Sequence, residues 1–89
     1  MLGIPKQFDL KVNRTDINLA SCGSRHCPIA GSFRRQFMAD CSVQREGARV
    51  VVVCEAGKWR LSGKRPLRFI RAFDRMQDVN PSRFLAISI

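Results

Sequence analysis

The stretch Val50-Val51-Val52-Val53-Cys54-Glu55-Ala56-Gly57-Lys58-Trp59-Arg60-Leu61 decides the fold class. Its opening run is β-branched and too short for a helix, so it reads as a buried strand. Ala56-Gly57 supplies a turn. Lys58-Trp59-Arg60-Leu61 then alternates, with Trp59 and Leu61 on one side and the cations on the other. That parity assigns Trp59 to the core rather than to a stacking platform for bases. Two strands joined so closely predict an antiparallel meander.

Working outward, Cys41 to Gln44 reads as a strand and Arg45-Glu46-Gly47 as a turn. Upstream, Pro28 suits the first turn of a helix, where its missing N–H is not needed. Ile29, Phe33 and Phe37 recur every four residues from there, with Arg34 and Arg35 off the stripe. Phe8-Asp9-Leu10-Lys11-Val12 alternates as a half-buried strand, and Asp16 to Ala20 can form a short helical turn. Downstream, Ser62-Gly63-Lys64-Arg65-Pro66 breaks the meander and opens a second helix over Pro66 to Met76. Phe69, Ile70, Phe73 and Met76 share its apolar face. Asn80-Pro81 ends that region, and Ser82 to Ile89 closes the chain as a strand. The sequence thus predicts one small α+β domain over residues 1–89. Its mostly antiparallel sheet has four to five strands, with two helices packed on one face, in the order β-α-β-β-β-α-β.

Sixteen Lys plus Arg stand against seven Asp plus Glu, a net charge of +9, and 45% of the chain is hydrophobic. Arg presents a planar fork of donors that matches phosphate and carboxylate oxygens, whereas Lys is a flexible point charge. Such an imbalance points to an anionic partner: a nucleic acid, a nucleotide signal or an acidic protein face. The second helix concentrates the charge. At about 100° per residue Lys64, Arg68, Arg71 and Arg75 fall within a narrow arc opposite the phenylalanines. Lys58, Arg60 and Arg65 extend it into a basic ridge able to neutralise several phosphates. The alternative is a solvated helix face, with Asp74 and Asp78 offsetting Arg71 and Arg75.

Catalytic signals are weak. Carboxylate pairs at catalytic spacing and a complete phosphate-binding loop are missing, so no enzyme and no cofactor is expected. The best nucleophile candidate is Cys27, beside His26 and at a helix N-terminus, which lowers a thiol pKa. Structural zinc through Cys22, His26, Cys27 and Cys41 is an alternative, although tetrahedral sites usually show two close ligand pairs. The preferred reading of the cysteines is as buried thiols, with Cys54 continuing the parity of Val50 and Val52. The longest apolar run, Val50 to Cys54, is far too short to span a bilayer. With no secretory signal apparent, a reducing cytoplasmic location without membrane association is expected. Self-association would be one way for so small a chain to build a pocket.

Three stretches carry a resemblance: Cys27-Pro28-Ile29-Ala30 with Arg34 inside its helix, Phe69-Ile70-Arg71-Ala72-Phe73-Asp74, and Pro81 with Phe84 before a terminal strand. Together they resemble small proteins encoded by bacteriophages and prophages. One departure follows Phe73-Asp74, where that pattern leads us to expect a glycine turn and the chain has Arg75-Met76-Gln77. The resemblance implies a context: inhibitors of host defence, including anti-CRISPR proteins and sponges for nucleotide signals, or small DNA-binding regulators. It assigns no functional residue. A phage-encoded protein of this kind would act in the host cytoplasm.

Overall fold

A computed structural model of the chain describes residues 3–21, 23 and 25–89. Five strands, β1 (Gln7–Val12), β2 (Cys41–Glu46), β3 (Arg49–Cys54), β4 (Gly57–Leu61) and β5 (Ser82–Ser88), pair antiparallel throughout in the order β1-β5-β4-β3-β2. Between them lie α1 (Arg14–Leu19), α2 (Pro28–Phe37) and α3 (Arg65–Asp74). The architecture is the α+β sheet that the meander implies, and α1 stands where a short helical turn over Asp16 to Ala20 was open, starting two residues earlier at Arg14.

One face of the sheet carries the core. Leu10 and Val12 of β1, Val50 and Val52 of β3, Trp59 and Leu61 of β4 and Phe84 and Ala86 of β5 all belong to it. Ile29, Ala30 and Phe33 of α2 and Leu67, Phe69 and Ile70 of α3 pack against that same face. Phe33 sits 5.8 Å from Trp59 and 5.1 Å from Phe37, ring centre to ring centre, tilted as aromatic pairs prefer. Phe69 meets Phe84 edge to face at 5.5 Å. Trp59 is 4% exposed, and its indole N–H donates to the Pro5 carbonyl at 2.9 Å, so its one polar atom is satisfied without a ligand. Val51 is buried too but lies outside that core. Its cross-strand neighbours are Gln44 and Arg60, whose methylenes are long enough to shield it.

Some boundaries shift for local reasons. β2 runs on to Glu46, and the β2–β3 turn is Gly47-Ala48, closed by the Glu46–Arg49 pair. Gly47 has φ 65°, which a two-residue hairpin of this kind asks of its first central residue. α3 ends at Asp74 rather than Met76. Met76 adopts φ 60° and is 91% exposed, so it is not on the apolar face expected for it. The chain therefore makes its left-handed exit near where a glycine was expected, using a residue for which that conformation is unfavourable. Phe73 is only half-buried, whereas Leu67 is buried.

Candidate anion-binding site

Two adjoining open hollows lie where the β2–β3 hairpin tip meets the end of β4 and the start of α3. The first, about 290 Å³, is lined by Ala48, Arg49, Arg60, Leu61, Ser62, Gly63 and Lys64. The second, about 430 Å³, is lined by Gly47, Ala48, Lys64, Leu67, Arg68 and Arg71. Ala48 and Lys64 are common to both, so the two adjoin. Together they carry five cations from three separate chain segments, and no carboxylate lines either of them.

The sequence places these side chains through ordinary local rules. Leu61 and Leu67 are buried, which fixes β4 and α3 by their apolar sides and leaves the neighbouring cations on the surface. In α3 the positions Leu67, Phe69 and Ile70 turn inward while Arg68 and Arg71, three residues apart, remain exposed. The break from strand to helix uses Gly63 at φ 82°, a conformation that suits glycine. The Ser62 N–H donates to the Leu85 carbonyl at 2.8 Å, anchoring the first residue of that break to β5. The chain then enters α3 with Pro66 in its first turn.

The charges are not spent internally. Among the described residues three ion pairs form: Arg34 with Asp40 at 3.5 Å, Arg35 with Asp16 at 3.0 Å and Arg45 with Asp74 at 3.0 Å. None involves Arg49, Arg60, Lys64, Arg68 or Arg71. Asp74, which helical spacing offered to Arg71, is taken by Arg45 from β2 instead.

Of the seven cations nominated from the sequence, the structure brings together Arg60, Lys64, Arg68 and Arg71. Arg65 is drawn away, its guanidinium lying 5.7 Å over the Phe84 ring. Lys58 sits toward the opposite end of β4, opposite Val53, and Arg75 follows the end of α3; neither lines the hollows. Arg49 joins the cluster without having been nominated. Its signal was the two-residue hairpin: a turn at Gly47-Ala48 makes Arg49 the first residue of β3, close to the end of β4.

The cysteines form a separate, inward-facing group. The Cys27 thiol is pushed up from its ordinary value by burial, which outweighs the N–H donated to it by Ala30 at 3.5 Å. Desolvation dominates the helix terminus here, against the weaker candidate reading of Cys27 as a helix-activated nucleophile. Burial likewise pushes Cys41 up to about 12. Cys41 lies opposite Cys54 in the β2–β3 register, and Cys54 is half-buried rather than fully buried. Of the zinc set considered from sequence, His26 is exposed while Cys27 and Cys41 are buried, and Cys22 lies outside the described residues. No cluster of three or more metal-ligating side chains occurs among the described residues. No helix among them is long and apolar enough to cross a membrane.

No known protein family matches the chain, nor does any curated protein or solved structure. The site has to be read from its own chemistry.

Proposed function

We propose that the protein is a non-enzymatic binder that engages an anionic partner stoichiometrically through the basic hollows between the hairpin tip and α3. The observation that supports this best is the company the cations keep. Arg49, Arg60, Lys64, Arg68 and Arg71 line two adjoining hollows with no acidic side chain among them. Like charges gathered without acidic neighbours repel one another, at a cost in stability that a purely structural surface has no reason to carry. An anion on that surface relieves the repulsion.

The biological setting we propose is the one implied by the phage-like motifs: an inhibitor of host defence acting in the host cytoplasm. A small DNA- or RNA-binding regulator is the second reading, and the cation cluster favours it equally. Neither requires a cofactor. The buried Cys27 thiol supports the non-enzymatic reading, because its pKa moves away from what a thiolate nucleophile needs.

Affinity capture from a host lysate, with and without nuclease treatment, tests the proposal. The wild-type chain should retain a partner that R49Q/R68Q/R71Q does not. Equal capture by both proteins, with the variant folded by circular dichroism, would remove the hollows from the account.

A further inference from the structure

We propose that the anionic partner is double-stranded nucleic acid, seated by its phosphodiester backbone in the double hollow without base readout. This rests on the anionic-partner reading and narrows it to one class.

The shape of the site suits a phosphodiester backbone. The two hollows share Ala48, at the exposed hairpin tip, and Lys64, and the tip itself, Gly47-Ala48, carries no side chain beyond a methyl group. Arg49 and Arg60 line one hollow, Arg68 and Arg71 the other, and Lys64 both. A small tip between groups of cations lets a backbone approach closely while phosphates find donors on either side. Four of the five cations are arginines, whose forked donors suit phosphate oxygens.

The aromatic rings lie away from the hollows. Proteins that hold single strands rely on aromatic side chains on which bases stack. Here Phe33, Trp59, Phe69 and Phe84 are buried, and Phe8, Phe37 and Phe73 are half-buried. None of them lines either hollow. A partner bound here is gripped through phosphates, and a duplex displays those while keeping its bases stacked within.

Other anionic partners fit this surface less well. Protein interfaces centre on apolar or aromatic anchors with charges at the rim. Among the described residues the exposed large apolar side chains are Leu19, Met38, Met76, Leu85 and Ile89, none of which lines the hollows. A free nucleotide calls for a cleft that buries most of its surface. These hollows are open and lack a ring to hold a base.

Fluorescence anisotropy tests the proposal, using a labelled mixed-sequence DNA duplex of about 16 base pairs, the matching RNA duplex, and each single strand. At about 3.4 Å per base pair that length exceeds the 35 Å longest dimension of the protein. Duplex should bind more tightly than single strand, with little dependence on sequence. If all five cations meet phosphates on DNA, the log–log salt slope should be about −4.5. Affinity would then fall by several hundredfold, roughly, between about 50 and 200 mM salt. R68Q/R71Q should flatten the slope by about 2. A48E, which sets a carboxylate at a position both hollows share, should lose binding that A48Q keeps. Preference for either single strand, a flat salt response, or unchanged binding by A48E would overturn the proposal. Should duplex fail while lysate capture retains a nuclease-resistant partner through the same arginines, the broader reading survives and this one falls. If capture fails as well, both fall.

Discussion

Asp16 ties three elements together, and removing it should be among the costliest surface-adjacent substitutions in this chain. Its carboxylate accepts from Arg35 Nε and Nη2 of α2, each at 3.0 Å, and from the Asn13 N–H at the start of α1 at 2.8 Å. The Asp16 side chain is only 5% exposed, but that of Arg35 is 42% exposed, so the pair is half-screened by solvent. A fully buried pair broken on one side costs about 3–5 kcal/mol, and charge-assisted hydrogen bonds contribute about 1.5–3 each at most. With screening, D16A should lose about 2–4 kcal/mol. A chain of this length has about 4–13 kcal/mol in total at 0.05–0.15 kcal/mol per residue, so the loss is a large fraction. Arg35 Nη2 also donates to the Lys11 carbonyl at 2.8 Å, while Gln36 accepts from the Lys11 N–H and donates to the Asp9 carbonyl. These bonds cap the outer edge of the sheet at β1. D16A should therefore speed amide exchange at Lys11 as well as lower stability. D16N, which keeps the shape and one acceptor oxygen, should lose less. Urea unfolding measures both variants. A D16A loss below about 1 kcal/mol, within the range of an exposed pair, would refute this account of the α1–α2–β1 junction.

Other substitutions probe the core, the helix exit and the thiols. F33A should cost about 3–5 kcal/mol, because Phe33 is fully buried, and F73A distinctly less, because Phe73 is half-buried; denaturant midpoints give the ranking. M76G should raise stability by about 0.5–1 kcal/mol by relieving a left-handed residue, which a thermal melt would register as an upward shift. Stability should hold below pH 9.0, the ordinary thiol value, and fall as pH rises toward about 12, because the unfolded Cys41 thiol ionises first and the folded one stays protonated. C41A should flatten that alkaline decline relative to wild type, as read from urea unfolding at stepped pH.

The strands were legible because their parity is strong. Trp59 with Leu61, and Val50 with Val52, each announce an inner face by alternation alone, and the registers agree. α2 was equally plain from Ile29, Phe33 and Phe37. The end of α3 was not, because Met76 fits the apolar stripe by spacing yet follows a turn that Asp74 and Arg75 do not signal. Four members of the candidate site came from helical spacing and strand alternation. Arg49 could not, since its place depends on a hairpin register that moves with the exact turn. Arg65 fitted the basic run, but its stacking on Phe84 joins residues nineteen positions apart, and no local pattern encodes that. The Cys27 pKa depended on burial, which outweighed the local helix terminus only once the fold was known.

Titrating isotope-labelled protein with duplex DNA, and following each backbone amide by NMR, tests the central claim most directly. The account predicts fast, salt-sensitive shifts confined to residues 47–49 and 60–71. Shifts centred instead on β1 and α1, or none at all at low salt, would contradict it.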